Sequence, residues 1–192
     1  MILMRLATNV SMPRQVVLVD EQDNEMGTAD IFAAHQGKGL KHRALSVILY
    51  RKRAGKTELL LQKRAGVKPV FKHLWSNTCC TNMRVGDTYI PRAVSRLEEE
   101  MGIRVKPQDL RVLYRFSYDV LDEANLGWCE NELDTILVGE WDGNMEINLE
   151  EAEEAKWMDL DELVHDIQKN PTVYSPWYRT IVTDKRFLEA VG

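Results

Sequence analysis

Residues 74–103 read LWSNTCCTNMRVGDTYIPRAVSRLEEEMGI, and the fold predicted for the chain depends on this stretch. Its second half carries apolar residues at three- and four-residue spacing: Ala93, Val94, Leu97 and Met101. This spacing predicts a helix with one apolar face. Asp87 or Thr88 can cap the first turn, and Gly102 can end the helix because glycine readily adopts positive φ.

Thiols lie before this helix and carboxylates lie near its end. Cys79 and Cys80 precede it, and Glu98, Glu99 and Glu100 follow one another in its last turns. Successive helical residues point about 100° apart, so three consecutive glutamates cannot all serve one purpose. Taken alone, the glutamates are most simply a solvated face and the cysteines are most simply buried packing. A catalytic interpretation therefore depends on the rest of the chain.

The composition is that of a globular protein, with 192 residues, 44% hydrophobic and 29% charged. We expect a single domain over residues 1–192. The net charge of −5, without a basic block, argues against nucleic acid as a partner. Three cysteines do not make a disulfide framework, which favours a reducing, cytoplasmic location. We find neither a signal peptide in residues 1–12 nor an apolar run of the roughly twenty residues that span a membrane.

Runs rich in Val, Ile, Leu and aromatic residues predict strands at 15–20, 44–50, 58–62, 110–118, 128–141 and 157–160. Residues 144–154 are acidic and are expected to form a loop. Asp159 is expected to cap a helix that runs towards Asn170, and Ser175 with Pro176 to open a final helix. This order of elements predicts an α+β chain or a sheet between helices.

Two pairs of side chains could bind a metal ion. His35 and His42 bracket a glycine-bearing loop, and neutral imidazole is a common metal ligand. Glu130 and Glu132 are two residues apart, so on a strand they project from the same face and repel each other. A cation between them, or protonation of one, removes that repulsion. Each pair also has a simpler explanation, as isolated histidines or as an exposed strand face.

A basic segment precedes the cysteines, and it contains Lys63, Arg64, Lys68 and Lys72. It is either a solubilising loop or a clamp for phosphate, because Arg and Lys bind phosphate oxygens with charge-assisted hydrogen bonds. Its position directly before the thiols favours the clamp.

The stretch 81–103 resembles a Nudix box in its second half, where the matching residues are Leu97, Glu99, Glu100, Gly102 and Ile103. Arg96 stands where Nudix hydrolases have a glutamate of their metal cluster. The chain as a whole resembles instead the type I isopentenyl-diphosphate isomerases, a branch of the same fold. The resemblance covers AAH with LKH, QKRAGVKPVFKHLWSNTCC, the modified box, CENE and SPW, in that order. It implies an α/β (α+β) fold, a Nudix-like α/β/α sandwich with a mixed sheet.

The resemblance also implies catalytic and metal-binding roles. Cys80 would be the catalytic thiol and Glu132 the second acid/base group, with Tyr118 as an active-site tyrosine beside that glutamate. The implied ligands of a divalent metal, Mn²⁺ or Zn²⁺, are His35, His42, Glu130 and Glu132. Asn82 stands where the family usually has a metal-binding histidine, and its amide oxygen is a weaker candidate ligand than imidazole.

Further roles concern the substrate. Glu100 matches the family's ligand for a Mg²⁺ ion on the substrate diphosphate. Arg64 and Lys68 would contact the diphosphate, and Trp177 would lie over the hydrocarbon end. Ile31 stands where a basic residue that helps to bind diphosphate is usual. Neither Cys79 nor Cys129 matches a functional position, and we interpret both as packing.

The implied reaction moves a double bond by a 1,3-allylic proton shift, which converts isopentenyl diphosphate to dimethylallyl diphosphate. It requires two acid/base groups on either side of a flat substrate. Three alternatives remain: another reaction on an allylic or other diphosphate, a Nudix-type diphosphate hydrolase, and a binding module without turnover. We expect a monomer or homodimer whose partner is a small-molecule diphosphate.

Overall fold

The computed structural model describes residues 14–192. Within them, the strands are β1 (Gln15–Val19), β2 (Glu25–Asp30), β3 (His42–Arg53), β4 (Lys56–Arg64), β5 (Trp75–Ser76), β6 (Cys79–Asn82), β7 (Leu110–Leu121), β8 (Cys129–Glu140) and β9 (Ala152–Asp159). The helices are α1 (Ile31–Ala34), α2 (Tyr89–Met101), α3 (Leu160–Lys169), α4 (Pro176–Thr183) and α5 (Lys185–Val191). Short 3-10 helices lie at Pro107–Asp109 and Pro171–Val173. The strands form one mixed sheet.

Strand β3 lies at the centre of the sheet. It runs parallel to β8 and antiparallel to β4 and β6, and its first residue pairs with β1. The side chains of residues 44–49 are buried on both faces of the strand. An almost unbroken run of apolar residues is typical of such a central strand, because both faces are covered.

Helix α2 covers one face of the sheet. Its apolar stripe packs against the sheet residues Leu45, Leu60 and Leu137. Gly102 ends the helix with φ 62°, and a Cβ there would lie 2.6 Å from the carbonyl oxygen of Glu146. Glycine is therefore required at this position both by the backbone conformation and by the close approach. The predicted helix and its end are confirmed. The predicted cap is not, because Thr88 at the N-cap position makes no side-chain hydrogen bond to the helix, and the Asp87 carboxylate accepts from the N–H of Arg84 instead.

Helices α3, α4 and α5 cover the other face. Leu163, Tyr178, Ile181 and Phe187 have no exposed surface and pack in one cluster with Ile48, Ile136 and Val138 of the sheet. The protein thus has helices on both faces of a mixed sheet, which confirms the predicted α/β/α layers.

The strand predictions missed β2 and the short strands β5 and β6, and they began β9 too late. Strand β2, with the sequence EMGTAD, was not predicted because it is mostly exposed and lacks apolar alternation. It forms because it satisfies the backbone hydrogen bonds along the free edge of β1. Strand β9 begins at Ala152, inside the predicted acidic loop, because pairing with β4 decides its length. Tertiary pairing, rather than local composition, determines both strands.

The structure confirms one of the two predicted caps of the C-terminal helices. Asp159 caps α3 as expected, with its carboxylate accepting hydrogen bonds from two backbone N–H groups at 3.1 Å. Ser175 precedes α4, but its hydroxyl lies 2.8 Å from that of Ser76 instead of capping the helix. The predicted final helix is two helices, because Asp184 interrupts α4 and caps α5 through the N–H of Arg186.

Candidate active site

Strand register brings several predicted site residues to one face of the sheet. Paired residues on neighbouring strands project from the same face, and so do alternate residues along one strand. His42 of β3 pairs with Glu132 of β8, and Ser46 of β3 pairs with Cys80 of β6. Tyr118 of β7 pairs with Glu132 from the other side. Because His42 and Ser46 are four residues apart, the thiol, the imidazole, the carboxylate and the phenol share a face.

A buried cluster of two histidines and two glutamates lies on this face. His35, His42, Glu130 and Glu132 each offer one ligand atom, and these atoms all lie within 4.8 Å of one another. Each of the four residues is less than a tenth exposed. His35 directly follows α1, and its carbonyl oxygen accepts a hydrogen bond from the N–H of Cys129 at 2.9 Å. This bond connects the α1 segment to the strand that carries the glutamates.

Both imidazoles are oriented by the backbone. Nδ1 of His35 lies 2.6 Å from the carbonyl oxygen of Ile31, and Nδ1 of His42 lies 2.7 Å from that of Leu40. A carbonyl oxygen only accepts, so each Nδ1 carries a proton and donates it. Each ring thereby directs its Nε2 into the cluster. Imidazoles fixed in this way are typical of metal ligands.

His35 and Glu130 bring two electron-rich atoms close together. Nε2 of His35 lies 2.9 Å from Oε2 of Glu130, and this buried oxygen has no hydrogen-bond donor among the described residues. Burial alone would lower the pKa of His35, but the facing Glu130 carboxylate, together with the Ile31 carbonyl and Glu132, outweighs burial and raises the pKa to about 9. Two electron-rich atoms at this distance need a proton or a metal ion between them.

The carboxylate of Glu132 is held in its charged form. Tyr118 donates its hydroxyl proton to Oε2 at 2.5 Å, and Nε2 of His42 lies 3.4 Å from Oε1. Burial raises the pKa of Glu132, but the contacts with His42 and Tyr118 outweigh burial, so the net shift is downward. The Tyr118 ring stacks between Phe116 and Trp177, at centroid distances of 5.4 and 6.0 Å. Aromatic packing therefore fixes the phenol that bonds to Glu132.

Asn82 also reaches into the cluster. Its side-chain nitrogen lies 3.0 Å from Nε2 of His42 and donates to Oε1 of Glu132 at 2.8 Å. The residue predicted as a weak ligand thus lies against two of the four stronger candidates.

Cys80 is half-buried beside a guanidinium group. Nη1 of Arg64 lies 3.8 Å from its sulfur. Burial raises the pKa of the Cys80 thiol to about 12, although Arg64 opposes the shift, so the sulfur is protonated at neutral pH. Arg64 also lies over the Trp177 ring, 5.3 Å from its centroid. By contrast, Cys79 is fully buried on the opposite face of the sheet, as its interpretation as packing requires.

Comparisons with known proteins show the family to which the chain belongs. A model of the NUDIX domain family matches residues 40–181. Isopentenyl-diphosphate Delta-isomerase 2 of Aromatoleum aromaticum is 40% identical over 166 residues, which cover 86% of this chain and 83% of that protein. An isopentenyl-diphosphate Delta-isomerase of Nocardia farcinica is 34% identical over 179 residues, covering 92% and 98%. The chain belongs to the isopentenyl-diphosphate Delta-isomerases of the NUDIX family.

Solved structures share the fold of this isomerase. A Deinococcus radiodurans protein superimposes with a TM-score of 0.69 at 15% identity, covering 88% of this chain and 97% of that one. The MutT protein of Methanosarcina mazei gives 0.59 at 12% identity, covering 78% and 94%. Identities this low support the fold alone. Among the described residues, no helix combines the length and apolar character needed to cross a membrane.

Glu100 of the isomerase lies in a buried charged network. Arg96 donates to its Oε1, with Nε at 3.0 Å, and Gln62 donates to its Oε2 at 3.0 Å. Glu100 is only 1% exposed, so these two donors satisfy a carboxylate that is almost out of water. Arg96 thus stands both at the Nudix glutamate position and beside the predicted Mg²⁺ ligand.

The two predicted diphosphate contacts have protein partners. Arg64 donates to the carbonyl oxygens of Val70 and Phe71 at 2.9 and 3.0 Å, so its guanidinium orients the loop that follows β4. Lys68, in that loop, forms an ion pair with Glu151. Each cation keeps further N–H donors beyond these bonds.

Two residues and one ion pair of this region were missed by the sequence analysis. Glu151 connects Lys68 to Arg96, with Oε1 3.3 Å from the Arg96 Nη2, and no local pattern indicates it. The Arg96–Glu100 pair has helical i,i+4 spacing, a signal that could have suggested an ion pair. Asp134 is fully buried on the Glu130–Glu132 face, and burial raises its pKa well above the usual range. Alternation along β8 could have placed it there.

Proposed function

We propose that Cys80 and Glu132 are the two acid/base groups with which this isomerase interconverts isopentenyl diphosphate and dimethylallyl diphosphate. The observation that carries the proposal is their shared face of the sheet, on strands that both pair with β3. Asn82, two residues after Cys80, donates to Glu132, so the thiol and the carboxylate border the same buried cluster. A 1,3-proton shift needs two such groups within reach of one substrate.

The protonation states of the pair support this role. The pKa of Cys80 is raised, so its sulfur holds a proton at neutral pH, whereas the pKa of Glu132 is lowered, so its carboxylate does not. The pair therefore has one proton to give and one place to receive a proton. In the reverse reaction the two groups exchange roles, as microscopic reversibility requires.

The buried cluster fits a divalent metal. The unpartnered Oε2 of Glu130 faces Nε2 of His35, and two imidazoles with two carboxylates are suitable ligands for Mn²⁺ or Zn²⁺. His35, His42, Glu130 and Glu132 would hold this ion. A bound dication supplies positive charge that fixes Glu132 and tunes its acidity. A Mg²⁺ ion that accompanies the substrate diphosphate would be held by Glu100 only if it replaced one of the donors, Arg96 or Gln62, that this carboxylate now accepts from.

The remaining residues hold the substrate. Arg64 lies next to the thiol, Lys68 lies in the loop that Arg64 orients, and both supply positive charge for the diphosphate. The Trp177 ring, 2% exposed, is fixed by a hydrogen bond from its Nε1 to Oδ1 of Asn77 at 3.0 Å. Its π face can stabilise a carbocation, an interaction worth about 2 kcal/mol when desolvated. Burial of the ring also helps to exclude water, which would trap such a cation.

A reducing environment suits this chemistry, because the mechanism needs Cys80 as a free thiol. All three cysteines are free. We therefore propose a cytoplasmic location.

Site-directed variants test the acid/base assignment. The full-length protein is incubated with isopentenyl diphosphate, Mg²⁺ and Mn²⁺ or Zn²⁺ in deuterated water, and product and deuterium uptake are followed by NMR. Cys80→Ala and Glu132→Gln should each lower the rate by about a hundredfold or more. Cys79→Ala, on the opposite face of the same strand, should stay close to the wild-type rate.

The outcomes separate the proposal from its alternatives. If both active-site variants keep the wild-type rate while folded, the two groups are not the acid/base pair. If the wild-type protein binds the substrate but neither makes product nor takes up deuterium, the site acts on a different diphosphate. Phosphate release from nucleoside diphosphate compounds would indicate hydrolysis, although Arg96 pairs with Glu100 where hydrolases need a metal cluster.

A further inference from the structure

The Asn82 amide makes contacts that a metal ion would have to replace or share. Its nitrogen is 3.0 Å from Nε2 of His42 and 2.8 Å from Oε1 of Glu132, and both atoms belong to the buried cluster. His42 would bind a metal through Nε2, because its Nδ1 donates to the carbonyl oxygen of Leu40. Asn82 therefore touches two of the atoms that would surround the ion.

The backbone holds Asn82 in this position. Asn82 pairs with Ala44 at the end of β6, and the next residue, Met83, donates its N–H to the carbonyl oxygen of Arg43 at 2.8 Å. The carbonyl oxygen of Met83 accepts from the N–H of Val17 at 3.0 Å. This pairing fixes the backbone from which the side chain reaches the cluster, and the terminal amide can still rotate.

A half turn of the amide exchanges its nitrogen and oxygen, which have nearly the same size. Oδ1 then takes the place beside Nε2 of His42 and Oε1 of Glu132. The amide nitrogen has no lone pair to offer a metal, whereas the amide oxygen is a neutral, hard ligand of the kind that suits Mn²⁺ and Mg²⁺. The surrounding groups would then number two nitrogens and three oxygens.

We propose that Asn82 determines metal selectivity at this centre. Its amide oxygen favours Mn²⁺ relative to Zn²⁺, compared with an imidazole at the same position. The inference rests on the proposed metal centre and goes further, because it names the residue that sets the preference. A third nitrogen ligand raises the affinity of the site for Zn²⁺ more than its affinity for Mn²⁺, because affinity for imidazole rises along the series from Mn²⁺ to Zn²⁺.

Metal binding, rather than turnover, provides the test. Wild-type protein and the variants Asn82→His, Asn82→Ala and Asn144→His are stripped of metal and titrated with Zn²⁺ or Mn²⁺ alone, in competition with a chelating dye. Asn144 is exposed and lies beyond the end of β8 opposite to Glu130 and Glu132, so its variant controls for adding an imidazole elsewhere on the surface. Electron paramagnetic resonance of bound Mn²⁺ gives a second readout.

We expect Asn82→His to raise the Zn²⁺ affinity about tenfold or more, with a change in Mn²⁺ affinity of less than about threefold. Asn82→Ala should weaken Mn²⁺ binding about tenfold, weaken Zn²⁺ binding less, and change the Mn²⁺ spectrum. The Asn144→His variant should match the wild-type affinities for both ions.

Several results would overturn the inference. An equal change in both affinities for Asn82→His would show that the residue does not select between metals. Unchanged Mn²⁺ binding in Asn82→Ala would show that the amide is not part of the centre. If Asn82→His fails to fold, the alanine variant decides alone through its Mn²⁺ to Zn²⁺ ratio. A wild-type protein that binds neither ion would instead refute the proposed metal centre, and this inference with it.

Discussion

Tyr118→Phe removes a single oxygen atom next to the proposed base. The Tyr118 hydroxyl donates to Oε2 of Glu132 at 2.5 Å, while its ring packs against Phe116 and Trp177. Phenylalanine keeps the ring and both aromatic contacts. The substitution therefore isolates the hydrogen bond from the packing, and the fold should tolerate it.

The magnitude follows from the charge on the acceptor. A hydrogen bond to a charged group contributes about 1.5–3 kcal/mol, roughly twice the value for neutral partners. Glu132 is 7% exposed, so water cannot easily replace the lost donor. If the bond orients Glu132 for proton transfer, its loss should lower kcat by about 10- to 100-fold. The KM should change little, because the phenol lies at the acid/base end rather than at the proposed diphosphate end.

Steady-state kinetics by NMR or coupled assay would measure both constants. Tyr114→Phe is the matched control, since Tyr114 lies on the same strand and its buried hydroxyl has no hydrogen-bond partner among the described residues. That variant should behave as wild type. The reasoning is refuted if Tyr118→Phe changes kcat by less than about twofold, or if both tyrosine variants lose activity equally.

Three further predictions concern stability, thiol chemistry and metal. Arg64→Ala leaves two backbone carbonyl oxygens without their donor and should lower the free energy of unfolding by about 3 kcal/mol in urea titrations, against less than about 1 kcal/mol for Lys63→Ala. Equal losses would contradict the buried role of Arg64. Alkylation of Cys80 by iodoacetamide should accelerate about tenfold per pH unit from pH 8 to 11, because its pKa is raised to about 12, and a plateau near pH 9 would contradict this. Mn²⁺ added to metal-stripped protein should raise the midpoint of thermal unfolding, and Glu130→Gln should reduce that rise; equal rises would place the ion elsewhere.

Much of the fold could be predicted from local patterns. The helical spacing of Leu97 and Met101 with Gly102 after them predicted α2 with its end, and the apolar run of β3 predicted the central strand. The elements that were missed carry no such pattern. Strand β2 is polar and exposed, and the start of β9 is acidic, so only their pairing partners make them strands. A single domain over residues 1–192 stays a prediction.

The candidate site could be predicted only in part. Spacing along the chain singled out the histidine pair and the glutamate pair, and the family resemblance joined them into one predicted site. Alternation on a strand explains why Glu130 and Glu132 lie on one face. Local sequence gave no indication that Asn82 would turn its amide nitrogen towards Glu132. Nor did it connect Lys68 to Glu151, which lies 83 residues further along the chain. Such contacts depend on the register in which distant strands pair. A shift of one residue would turn the side chains of a strand to the opposite face of the sheet.

The sequence by itself determined which chemical groups are available: two imidazoles, two strand carboxylates, a thiol, a phenol and a basic loop. Spacing along the chain can specify them because helix and strand periods are local properties. Only the tertiary structure decided which groups meet and in what protonation state. It raised the pKa of Cys80 and lowered that of Glu132, because burial and neighbouring side chains set those values and neither exists in the unfolded chain.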